Sequence, residues 1–173
     1  KNIYNVLESD NFNDEDVVIL LDGDDWLSSS KILNALNHAY SQDYMVTYGS
    51  YVMHPHGVKG PEPSQYPADV IENNLYRQDK WRASHLRTFK HHLWKKINVE
   101  DLKNDEGDFY SVSYDQAIML PLIEMASERV KYIDAVMHVY NKQNPLNVDK
   151  IKAQLQYETA QKIRQKTKYQ RVD

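Results

Sequence analysis

The sequence predicts an α/β domain built on a mostly parallel central sheet flanked by helices. Three observations carry that expectation. Val17 to Leu21 is a short, unbroken β-branched and aliphatic run, the pattern of a strand buried on both faces. The turn Asp22-Gly23-Asp24-Asp25 ends it, and a helix-period segment follows directly. Strand, acidic turn and helix in that order are the opening of a βα unit.

Before that strand, residues 1 to 9 read as the end of a helix, with Ile3, Val6 and Leu7 at helical spacing. Ser28 to Ser30 offer N-caps for a helix running to about Tyr40, with Ile32, Leu33, Leu36 and Ala39 as its buried stripe. Tyr44 to Val52 is a second strand, and Met53 to Pro67, rich in Pro, Gly and His, is a surface loop. Leu75 to Ile97 interleaves basic and aromatic residues and is expected to hold a strand near His85 to Phe89 and a helix after it. Asp101 to Asp108 is an acidic loop. Asp115 to Ala126 is an apolar-striped helix that Pro121 should kink or begin. Val130 to Tyr140 forms one or two strands, and Asn147 to Lys168 forms a polar helix with Ile151, Leu155 and Ile163 on one side.

The 173 residues include no Cys, 41% hydrophobic and 27% charged positions, and a mean hydropathy of -0.74. Those values describe one water-soluble domain, with no membrane span and no basic-then-apolar signal segment, so a cytoplasmic location is expected. Without thiolate, a metal would rest on carboxylate or imidazole, which favours hard cations. The net charge of -4 is uneven. Residues 150 to 173 hold seven Lys/Arg against Glu158 and Asp173, leaving 14 basic and 23 acidic residues before them. An acidic body lacks the basic face that nucleic acid requires, so nucleic acid is not an expected partner.

Asp22, Asp24 and Asp25 lie within four residues at a strand end, where α/β sheets place ligands. Close carboxylates repel one another, and a cation compensates. The alternative is an acidic turn that caps the next helix.

VVILLDGDDWL, Val17 to Leu27, resembles the hydrophobic strand and DxD motif of glycosyltransferases of the GT-A fold, family 2 above all. Ser84 to Lys90, the helix-opening Tyr114-Asp115-Gln116-Ala117, and Tyr140-Asn141 with Asn144-Pro145 resemble the same family in the same order. The resemblance covers residues 1 to about 148, with 149 to 173 set apart as a basic C-terminal helix. It implies the GT-A, Rossmann-like sheet, represented here by its C-terminal part. Nucleotide-binding units that open family members are missing before the DxD strand, so the chain reads as a piece of a longer domain.

The resemblance further implies a metal-dependent, inverting transferase of the hexosyltransferase type. A nucleotide-sugar donor, a UDP-sugar by expectation, would give its sugar to a hydroxyl of a carbohydrate, lipid-linked or protein-linked acceptor. Asp24 and Asp22 would hold Mn²⁺ or Mg²⁺ against the diphosphate, with Asp25 a further candidate and Asp22 also near the ribose. Asp115 would be the catalytic base, unless it only caps its helix, a task Ser113 can share. Arg87 would neutralise the diphosphate. His138, on an apolar strand, is a third metal ligand or a hydrogen-bonded structural residue. His85 faces acceptor or diphosphate, and Trp26 is a sugar platform or core packing. Two other classes stay open: a non-catalytic sugar- or protein-binding module of the same fold, and a nucleotidyltransferase using the same acidic turn.

Overall fold

A computed structural model describes residues 1–145, 147 and 151–172. Among these residues six strands form one curled sheet: β1 (Val17–Leu20), β2 (Trp26–Leu27), β3 (Val46–His54), β4 (Val58–Lys59), β5 (Arg87–Lys90) and β6 (Val130–Asn141). The order across the sheet is β1-β5-β3-β6-β2, with β4 hairpinned onto β3. Only β3 and β6 pair in parallel; β1 with β5, β5 with β3, β6 with β2 and β3 with β4 are antiparallel.

This overturns the expected mostly parallel, Rossmann-like GT-A sheet: the sheet is mixed, mostly antiparallel and bent into a half-barrel. The physical reason lies in β5. The βα unit does set β1 and β3 in the same direction, but β5 is inserted between them and runs against both. Nor is β1 buried on both faces. It ends the strand order with one neighbour, Val17 is 37% exposed, and within the strand only Val18 is fully buried. A short apolar run fits an edge strand as well as a central one.

Helices cover both faces. α2 (Ile32–Tyr40) packs Ile32 and Leu36 against Leu86 and Met137 on one side. The larger core lies on the other side, where Val18, Val46, Tyr48 and Phe89 meet α5 (Tyr114–Ala126). α1 (Asn2–Leu7), α3 (Ala68–Glu72) and α4 (His91–Trp94) close its margins. α5 buries every residue from Ala117 to Ala126, not a single stripe, as a helix surrounded by protein must. Pro121 sits inside it and the helix runs through.

The outer side of α5 is covered by the C-terminal segment. α6 (Ala153–Gln165) packs through Thr159, Ala160 and Ile163, while Ile151 and Leu155, expected beside Ile163, are exposed. The boundary drawn at 148/149 lies outside the described residues. Beyond α6 the chain straps back over α5: the Val172 amide donates to Met125 O and the Tyr169 amide to Glu124 Oε2. The basic residues here are largely spent on carbonyl oxygens. Arg164 donates to Arg77 O and Asp79 O, Lys166 to Glu100 O and Lys103 O, and Arg171 to Ile71 O and Glu72 O.

Among the described residues, no helix is long and apolar enough to cross a membrane.

Candidate active site

β1 delivers the acidic turn to one end of the sheet, β5 begins there with His85 and Arg87 just before and at its start, and α5 opens there with Tyr114 and Asp115. These residues line one cavity of about 370 Å³ together with Gly23, Asp24, Tyr140, Asn144 and Gln156. Of the residues singled out in the sequence, Asp22, Asp24, His85, Arg87 and Asp115 therefore share one pocket.

Arg87 is its centre. The side chain is 5% exposed, its Nη1 lies 2.8 Å from Asp115 Oδ2, and its Nη2 lies 4.0 Å from Asp22 Oδ2. Nη2 also donates to His85 Nδ1 at 3.0 Å. A guanidinium has no acceptor, so His85 Nδ1 carries no proton in this contact. Burial, then the Arg87 charge, then His138 push His85 well below the ordinary imidazole value, which keeps it neutral. The Arg87 Nε is buried and meets no partner among the described atoms. A buried donor left unpaired costs about 1–3 kcal/mol, which an acceptor oxygen on a bound anion would relieve.

Tyr114 donates its hydroxyl to Asp22 Oδ1 at 3.0 Å, and burial, reinforced by the Asp22 charge, raises the phenol above its usual range. Asp24 accepts from the Asn144 amide. Nothing in the sequence singled out Tyr114 or Gln156 on its own. Tyr114 does flank Asp115, and at the N-terminal edge of a helix adjacent residues can face one site.

Asp25 parts from its neighbours. Its carboxylate is fully buried, accepts from His138 Nε2 at 2.7 Å and from the Asn141 amide at 2.8 Å. His138, which the sequence left as a third metal ligand or a hydrogen-bonded structural residue, is bonded to Asp25, and its side chain is completely buried. Asp25, His85 and His138 each bring one ligand-capable atom within 4.8 Å of the others. The two imidazoles, however, are stacked, with centroids 4.4 Å apart and planes 23° from parallel. The rings form a stack, continued by Tyr140 on His85.

Trp26 does not line the cavity. It lies on β2, opposite Val139 of β6, 41% exposed, with its ring edge-on to His54 at 5.2 Å.

No protein-family model matches the chain, and no curated protein matches it.

Proposed function

We propose that this cavity transfers a sugar from a nucleotide-sugar donor to an acceptor hydroxyl, with inversion at the sugar carbon. The observation that carries the reading is the convergence of Asp22, Asp24, Arg87 and Asp115, from three separate segments, on one cavity around a buried guanidinium.

The chemistry divides among these groups. Arg87 holds Asp115 by Oδ2, leaving Oδ1 for the acceptor. Asp115 takes the proton of the attacking hydroxyl as that oxygen bonds to the sugar carbon. The bond from that carbon to the diphosphate breaks on the opposite face, and the nucleoside diphosphate leaves with the electron pair. Positioned proton removal of this kind contributes about 10²–10⁴-fold. The charge of Arg87, whose side chain is buried, favours the negative charge that grows on the leaving group.

Mn²⁺ or Mg²⁺ fits the donor set of Asp22 and Asp24, which line the cavity and offer oxygen only. Those two carboxylates would hold it, and it would supply further stabilisation of diphosphate charge. His138 does not line this cavity, and its Nε2 is bonded to Asp25.

Thermal melts test the reading. Mn²⁺ with UDP at about 100 times the dissociation constant should stabilise the protein by about 2.7 kcal/mol, and Asp24→Asn should remove most of it. A melting temperature indifferent to Mn²⁺ and to every nucleoside diphosphate would refute it.

A further inference from the structure

A second cavity, of about 510 Å³, opens between residues 77–81 and α6, beside the first. Gln156 lines both, and Gln116, the residue after Asp115, faces the second. The wall between them is pinned, since Ser113, just before α5, donates its hydroxyl to Gln156 O at 2.8 Å. The second cavity thus lies beside the end of α5 that carries Asp115, and neither Asp22 nor Asp24 lines it.

Its lining has a definite chemistry. Trp81 and Tyr157 supply aromatic faces, while Gln78, Gln116, Gln156 and Gln161 supply amides that both donate and accept. Of the charged residues on the lining, Arg77 pairs with Glu124 and Asp79 with Arg82, Arg164 is bonded to Gln116 Oε1 and to two carbonyls, and Lys80 adds a further cation. Aromatic plates with neutral, two-way hydrogen-bonding groups suit a ligand that has apolar C–H faces and many hydroxyls. The walls are a helix and a loop, so they offer no strand edge to which a peptide backbone could add.

We propose that this cleft is an acceptor subsite, and that the acceptor is an oligosaccharide whose inner residues lie along Trp81 and Tyr157 while its terminal hydroxyl reaches Asp115. The proposal rests on the transferase reading above. Tyr157 is 62% exposed and so is available to a ligand and dispensable to the core.

The test is calorimetric titration of the whole protein, with Mn²⁺ and UDP present, using malto-, cello-, chito- and xylo-oligosaccharides of one to four residues. In at least one series affinity should rise about tenfold or more from one residue to three, as aromatic contacts of this size allow. Tyr157→Ala and Trp81→Ala should each remove most of that gain while binding of UDP with Mn²⁺ stays unchanged. Trp81 also packs against the core, so Tyr157→Ala is the variant that decides. Binding of UDP with Mn²⁺ but no dependence on chain length in any series overturns the cleft alone, as does a gain that survives Tyr157→Ala. Length-dependent binding without any binding of UDP and Mn²⁺ overturns the transferase reading, and the cleft's role as acceptor subsite with it.

Discussion

α5 carries two carboxylates, one near each end, and each is met by an arginine from residues 77 to 87. At the far end Arg77 grips Glu124 with two bonds, Nε to Oε1 at 2.6 Å and Nη2 to Oε2 at 2.9 Å. Its Nη1 donates to Ile163 O, and Glu124 Oε2 also accepts the Tyr169 amide, so neighbouring groups occupy both partners. Glu124 is wholly buried. At the near end Arg87 meets Asp115 through one nitrogen, Asp115 is 24% exposed, and Arg87 Nε lacks a partner among the described atoms. The same ion-pair chemistry is closed and saturated in one place, open and unsaturated in the other. Saturation is what a structural pair needs, because every buried lone pair and proton must be answered. A pair that fronts a cavity with a donor unspent is arranged for a ligand.

The sharpest way to break this contrast is to neutralise each carboxylate. Glu124→Gln leaves Arg77 as an uncompensated buried charge and should cost about 3–5 kcal/mol of stability, read by urea denaturation. A loss below about 1 kcal/mol would deny the closed pair its structural role. Asp115→Asn should leave stability nearly intact, since Arg87 retains Asp22 at 4.0 Å, yet lower turnover by about 10² or more with nucleotide affinity unchanged. If Asp115→Asn instead abolished nucleotide binding in a folded protein, Asp115 would belong to the donor site and not to proton transfer.

The open end was legible in the sequence and the closed end was not. Asp22, Asp24, Arg87 and Asp115 stand in short motifs whose chemistry is unusual for their position, and the resemblance picked them out. Arg77 and Glu124 sit in an ordinary basic stretch and an apolar helix, and nothing local announces that they meet. Most elements were legible from hydrophobic period, but strand direction was not, because the insertion of β5 between β1 and β3 is a long-range event. The fate of His138 was hidden for a related reason. A register shift between β3 and β6 near Gly49 and Tyr51 breaks the alternation of β6, so Met137 and His138 are both fully buried. Gly49 permits the close approach there, since a Cβ would stand 3.2 Å from Ile133 O and from Met137 Sδ.

That bulge extends the comparison to the acidic turn, where Asp24 faces the cavity and Asp25, one residue on, is closed against His138. His138→Ala should therefore behave like a milder Glu124→Gln. It leaves Asp25 short of a donor and opens a cavity, at about 1–3 kcal/mol, while the Mn²⁺ response in the presence of UDP stays as in wild type. A variant with unchanged stability and lost Mn²⁺ response would return His138 to the metal site.

The smallest effect separates the two ends by pH. Arg87 touches an imidazole, His85, whereas Arg77 and Glu124 are bonded to none among the described residues. His85 titrates well below its ordinary value of 6.5, because burial and the Arg87 charge, with His138 behind it, disfavour the imidazolium. An unfolded chain takes up that proton near 6.5 and the folded one does not. The stabilising contribution is thus fully present above about pH 6.5 and falls as pH drops below it, by up to about 1.4 kcal/mol per pH unit. His85→Asn keeps an oxygen that can accept from Arg87 and removes the titration. The difference in denaturation free energy, wild type minus His85→Asn, should be flat from pH 8 to about 6.5 and then decline toward pH 5. Taking the difference cancels the histidines that do not touch His85. Parallel curves down to pH 5 would mean that His85 takes up its proton in the folded state as readily as in the unfolded one. The open end would then lack the neutral imidazole, held against a guanidinium, that sets it apart.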